Sequence, residues 1–311
     1  MLVTIREYLT NIKALCGTTS FSVEGRKSGG PNNPKKHRAA TTLGIIAMPL
    51  TTGLRNQRVL VTAASQGIGY GVARAFLEEG ARVVINSSND EKLKKAETEL
   101  SKLGEVHRIA GDLAAKQDID KIVNGTVENL GGIDVLAYVT GSPSPGTVME
   151  KNYEDWDAAA KLLTVSPTYL SRQVARVMID NKTKGRLVLS ASLVVREPSP
   201  TLALSNVCRI SVMGLVRTLA HELAPSGIRV NAILPGYIKT ARIDQLVKNN
   251  SQRKGISETQ ALNEFVSQVP LGYIGSTEEI ARSFLFFGSD MSSYVTGAAL
   301  PVDGGMLRSV G

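Results

Sequence analysis

Between Arg58 and Val302 the apolar positions follow two rhythms that take turns along the chain. Short runs of Val, Ile, Leu and Ala, bounded by Gly, Pro, Asn or Ser, read as buried strands. Longer segments with apolar residues three to four apart read as amphipathic helices. The pattern predicts strands near 58–62, 82–86, 106–110, 134–139, 186–191, 228–233 and 298–302, and helices near 67–79, 89–103, 116–130, 155–180, 204–224 and 277–288. Such alternation implies an α/β protein with one doubly wound parallel sheet of seven strands, covered by helices on both faces. Ligands of such sheets bind beyond the carboxyl ends of the strands, where the strand order reverses.

The first strand runs into V-L-V-T-A-A-S-Q-G-I-G, from Val59 to Gly69. A strand, a tight turn and a helix start follow directly on one another there. A turn of that kind aims backbone N–H groups and the positive end of a helix dipole at one point, which suits a pyrophosphate. Gly67 would let the main chain approach the phosphates, and Gly69 would let the helix pack closely on the sheet. Ala63 is less suited to the turn: if φ is positive there, its Cβ costs on the order of 1 kcal/mol. Glycines also mark ordinary turns, so the pair needs support from other positions.

Composition narrows the class. A hydrophobic share of 42% and a charged share of 21% fit a soluble globular chain, and no apolar run approaches membrane-spanning length. Two cysteines, Cys16 and Cys208, make no disulfide framework and no metal-ligand spacing, so a reducing, cytoplasmic setting is expected. The net charge of +8 is uneven. Residues 1–47 hold Arg6, Lys13, Arg26, Lys27, Lys35, Lys36 and Arg38 against Glu7 and Glu24, a net of +5, which leaves +3 for residues 48–311. The folded part therefore carries no basic stripe of the kind nucleic acids select. The tail, with S-G-G-P-N-N-P-K-K-H-R, cannot bury a core and is expected to be disordered. It reads as a transit peptide, a basic arm or upstream sequence ahead of a start at Met48.

The spacing after the first strand resembles T-G-x-x-x-G-x-G, the fingerprint of the short-chain dehydrogenase/reductase family, with Ala63 at the first glycine. The likeness extends over about residues 54–307 and includes 3-oxoacyl carrier-protein reductases among its relatives. It implies a Rossmann fold and a nicotinamide dinucleotide held by the turn residues Ala63, Ser65, Gln66, Gly67 and Ile68. It also implies contacts from Asp112 and Leu113 after the third strand, with Asp112 on the adenine amino group. After the fourth strand Tyr138-Val139-Thr140-Gly141 stands where the family shows N-N-A-G, which places Thr140 and Gly141 beside the cofactor. Pro235, Gly236, Ile238 and Thr240 belong to a match with P-G-x-x-x-T, whose Thr and main chain orient the nicotinamide amide. The second strand ends in Asn86, Ser87, Ser88 and Asn89 rather than an acidic residue. Neutral donors such as Ser87 and Ser88 tolerate a 2′-phosphate, which favours NADP over NAD.

Hydride transfer to a carbonyl leaves an alkoxide that needs a proton. The family supplies it from a Tyr whose pKa a Lys lowers, in the motif Y-x-x-x-K, with a Ser thirteen residues earlier and an Asn assisting. Anchored on G-L-V-R-T-L-A-H-E-L-A-P, the Tyr position is Ser205, the Lys position Arg209 and the early Ser is Ser192. The Asn position falls on Leu163 or Thr164. An aliphatic hydroxyl at 205 is shorter than Tyr and a weaker acid; Arg209 does not release its proton, and either forks onto ribose hydroxyls to support cofactor binding or pairs with a carboxylate as an ordinary helix Arg. Tyr138, Tyr237 and Lys239 near the strand ends are candidate substitutes, though each more readily serves packing or the rim. The segment 241–268 occupies the family's substrate lid. Two functions follow. One is an NAD(P)-dependent oxidoreductase acting on a carbonyl or alcohol with an atypical proton donor. The other is a catalytically silent nucleotide-binding protein serving as assembly partner or sensor. Helices 155–180 and 204–224 carry more apolar surface than one sheet face needs, and by the resemblance they pair in a homodimer or homotetramer.

Overall fold

The carboxyl ends of seven parallel strands share one edge of a single sheet, because every crossover returns the chain to the same starting side. The structure, a computed structural model, describes residues 51–309. The N-terminal stretch 1–47, expected to be disordered, lies outside them. The strands are β1 (Arg58–Val61), β2 (Arg82–Ser87), β3 (Val106–Ala110), β4 (Val135–Tyr138), β5 (Arg186–Ser190), β6 (Arg229–Pro235) and β7 (Ala299–Val302). Their order is β3-β2-β1-β4-β5-β6-β7, all parallel, so the winding reverses between β1 and β4. The expected seven-stranded doubly wound sheet is the observed one.

Alternation along each strand builds two cores. Val59, Val61, Val83, Ile85 and Val188 face α1 (Gly67–Glu78), α2 (Asp90–Leu100) and α10 (Thr277–Gly288), where Phe76, Leu93, Ile280, Phe284 and Phe287 are buried with them. Leu60, Val84, Leu136, Leu187 and Val230 face the other way, toward α3 (Lys116–Leu130), α5 (Ser166–Asp180) and α7 (Ile210–Leu223). Burying a side chain of this kind contributes about 1.5–3 kcal/mol, so the residues that set the two faces also hold the strand register. No described helix is long and apolar enough to cross a membrane.

Three segments depart from the simple periodic expectation. The helix predicted at 155–180 is α4 (Tyr153–Ala160) and α5 joined by a π-helical turn, Lys161–Val165. The helix predicted at 204–224 is α6 (Ala203–Cys208) and α7, interrupted at Arg209. The segment 241–268, expected as a lid, folds into two helices, α8 (Ala241–Lys254) and α9 (Glu258–Val266). A capping box between Ser257 and Gln260 starts α9, and Gly255 at φ +65° ends α8.

Candidate active site

Tight backbone contacts assemble the site at the reversal of strand order. Thr62 Oγ1 donates to Val139 O (2.5 Å) and accepts from Val139 N (2.8 Å), tying the ends of β1 and β4 together. Ala64 N donates to Asn86 O at 2.8 Å, so the turn after β1 also rests on the end of β2. Ala63 holds a φ of +48° and Gly67 one of +60°. A Cβ on Gly69 would stand 2.4 Å from Ala63 O and 2.8 Å from Thr62 O, so only glycine lets α1 start this close to the strand. Gln66, the extended N-cap residue, makes no side-chain cap. The first N–H groups of α1 are therefore left to an external acceptor.

The other expected contacts converge on the same edge. Ser65 and Ser87 hydroxyls lie 3.0 Å apart, and Ser88 is exposed beside them. Asn86 is fully buried and donates to Ile109 O and Gly111 O, so it braces β3, while its Oδ1 has no partner among the described residues. Asp112 Oδ1 accepts from Ala114 N in a local turn, while Leu113 is core. Thr140 Oγ1 is buried without a partner among the described residues, and the space beside Gly141 is open. A Cβ on Gly67 would lie 3.4 Å from Thr240 Cγ2, which brings the Pro235–Thr240 loop against the glycine turn. Ile238 is buried in the core beneath that loop and Pro235 ends β6. An uncapped helix start, a glycine-only close approach and an unpartnered buried hydroxyl together fit a nicotinamide dinucleotide.

The strip after β5 is different. Ser192 caps a short 3-10 turn, accepting from Val194 N at 3.4 Å. Ser205 is 6% exposed in α6. Arg209 sits at the break between α6 and α7, also 6% exposed, and donates to Ala191 O (3.3 Å) and Gly141 O (3.0 Å). A carboxylate partner for Arg209 was one expectation; two backbone carbonyls take that place, because the helix break aims the guanidinium under the β4 and β5 loops. Burial pulls the Arg209 guanidinium down to about 10, where it still carries its charge at neutral pH. Tyr138 is no substitute acid. It is 1% exposed, its hydroxyl bonds to Leu162 O and Ser166 Oγ, and burial raises its pKa. Tyr237 is half-buried, bonded to Gln268 and edge-on to Phe265, so it anchors the end of α9. Lys239 is exposed.

Of the two residues at the expected Asn position, Leu163 is buried in a small apolar cluster, whereas Thr164 is polar and bonded. Thr164 Oγ1 donates to Cys208 O (3.1 Å) and accepts from Ser211 (3.0 Å), joining the π-helical turn to the break at Arg209. Pattern reading missed three contributors. Lys92 Nζ donates to Gln66 Oε1 at 3.4 Å beside the glycine turn. Arg242 Nη2 donates to Pro143 O at 3.2 Å over the β4 loop. Ser211 completes the link to Thr164. None has a motif; only the tertiary contacts reveal them. Beyond this edge a cavity of about 430 Å³ opens between the lid and the loops after β4 and β5, with Thr147, Ser199, Leu246, Asn249 and Phe265 among its walls.

A doubly wound parallel sheet with a glycine turn at its reversal point defines a dinucleotide-binding fold of the oxidoreductase type. The comparisons place the chain within it. Residues 62–307 match the family model described as enoyl-(acyl carrier protein) reductase, and the chain belongs to the short-chain dehydrogenase/reductase family. It is 33% identical to a glucose 1-dehydrogenase of Gluconobacter oxydans over 83% of this chain and 94% of that protein. It is 34% identical to the 3-oxoacyl-acyl-carrier-protein reductase FabG of Chlamydia muridarum over 81% of this chain and 98% of that protein. Among solved structures, L-sorbose reductase from Gluconobacter frateurii, complexed with NADPH and L-sorbose, superposes with a TM-score of 0.80. The two are 29% identical, over 84% of this chain and all of that one.

Proposed function

We propose that the protein is an NAD(P)-dependent oxidoreductase that interconverts a carbonyl and an alcohol, with NADP(H) preferred and without a tyrosine proton donor. The observation that carries this reading is the cradle at the β1 turn, where the uncapped start of α1, Gly69 and Thr240 converge. Residues of the turn from Ala63 to Ile68, with Ser87, Asp112, Thr140, Gly141 and the Pro235–Thr240 loop, would hold the cofactor. When bound, that group supplies or accepts the hydride. Preference for NADP(H) is supported by Ser87 and Ser88 at the end of β2, with no acidic side chain there, and by Lys92 beside Gln66.

Ser192 donates a hydrogen bond to the substrate oxygen in this reading. Arg209 keeps its proton and places a fixed positive charge beneath the site, which favours a developing alkoxide in a partly dehydrated crevice. Ser205 has too short a side chain to stand in for a phenol, so it relays a proton through water. Support for a homo-oligomer comes from Val165, Val207 and Ile210, each more than half exposed at the π-turn and along α6 and the start of α7. The test follows nicotinamide absorbance with NADPH and a panel of ketones and oxoacyl thioesters. Turnover is expected, with Ser192→Ala lowering it at least tenfold. NADPH binding with no turnover across a broad panel would instead favour the silent nucleotide-binding reading.

A further inference from the structure

Two guanidinium groups bind the loop after β4, and neither is paired with a carboxylate. Arg209 is almost fully buried and spends its two bonds on Gly141 O and Ala191 O. Arg242, half-buried in the first turn of α8, donates to Pro143 O. Neither takes part in an ion pair among the described residues, whereas Arg58, Arg82, Arg108 and Arg186 all face carboxylates. Their acceptors, Gly141 O and Pro143 O, lie two residues apart on one loop, and Arg242 disfavours the charged form of Arg209. Holding two repelling cations out of water costs free energy that three backbone carbonyls only partly offset. An anion arriving from outside would offset it, and paired forks of N–H donors fit a carboxylate.

The position of the pair identifies which anion. Arg242, Leu246, Asn249 and Arg253 recur at helical spacing along one face of α8, and the last three line the cavity. Charges on the cavity wall balance, Arg253 and Lys254 against Glu150 and Glu264, so the unpaired positive charge lies off the wall, one turn before Leu246 on α8 and on the β4 loop. Both guanidiniums bind the loop after β4, whose continuation through Pro145 and Gly146 is also cavity wall. The phosphate turn has its own donors at the start of α1.

Resting on the oxidoreductase reading above, we infer that Arg209 and Arg242 clamp a carboxylate of the substrate, which is an oxo acid in the reducing direction and a hydroxy acid in the oxidising one. The carbonyl carbon gains a hydride from NADPH, which leaves as NADP⁺; its oxygen gains a proton from water; the carboxylate is unchanged. Arg242 is then the residue that selects acids over neutral carbonyl compounds.

The experiment compares acetoacetate and levulinate with their methyl esters in the full chain and in Arg242→Met and Arg242→Lys. The wild type is expected to show a KM for an acid at least tenfold below that for its ester. In Arg242→Met that ratio should fall about tenfold or more, and Arg242→Lys should keep part of it. Equal KM values for acid and ester in the wild type, or a ratio unchanged by Arg242→Met, would overturn the clamp. So would a loss of NADPH affinity in Arg242→Met with acid preference intact, since the guanidinium would then serve a cofactor phosphate. Fluorescence of Trp156, the single tryptophan, reads binding without turnover, because it packs against the Leu204–Cys208 cluster beside Arg209. Levulinate binding that exceeds its ester and is lost in Arg242→Met supports the clamp even where no hydride moves; no such difference overturns it. NADPH calorimetry on the same proteins judges the oxidoreductase reading separately.

Discussion

The turn after β1 and the strip from β5 into α6 lie on the same sheet edge, yet they carry their chemistry in different ways. The turn works through its backbone. Positive φ at Ala63 and Gly67, and an approach at Gly69 that admits no Cβ, set the path of the chain on which the proposed phosphate cradle depends. The strip works through side-chain identity, and there the proposed roles fall on Ser205 within α6 and on Arg209 at the break between α6 and α7. Backbone-built function tolerates sequence drift as long as the path of the chain survives. Side-chain-built function can change at two positions while the fold stays the same.

The comparison breaks most sharply at Gly69. Gly69→Val puts atoms onto Ala63 O and Thr62 O, and it is expected to cost about 3 kcal/mol and abolish measurable cofactor binding, checked by thermal unfolding and calorimetry. The converse test restores the strip. Ser205→Tyr with Arg209→Lys is expected to raise kcat about a hundredfold with cofactor affinity little changed, as a positioned general acid contributes on that scale. An unchanged kcat would mean that the natural site already delivers its proton well. The mildest change sharpens the backbone side alone: Ala63→Gly relieves a φ of +48° and should stabilise the fold by about 1 kcal/mol, read from denaturant midpoints.

Seven strands and their order of appearance were legible in the sequence because each carries a run of fully buried β-branched or aliphatic residues, as in Val59–Val61 and Val83–Ile85. The strained Ala63 was legible too, since the turn type dictates φ whatever residue fills it. The lid helices were not. In α8 only Ile243 and Val247 are buried, too few to mark a helical stripe among fourteen mostly polar residues. The π-helical turn at Lys161–Val165 also escaped, because one extra residue in a helix leaves the apolar spacing almost unaltered. Partners of Arg209 and the approach of Arg242 arise from loops after different strands, distant in sequence. No local pattern records them, and so the candidate phosphate turn was read early while the surroundings of the reacting centre were not.

Titration of the full chain with NADPH in a calorimeter tests the central claim most directly. Saturable heat at one site per chain, with a dissociation constant in the micromolar range and no such heat from Gly69→Val, is the expected result. Absence of heat from the wild type at millimolar NADPH and NADH would contradict it.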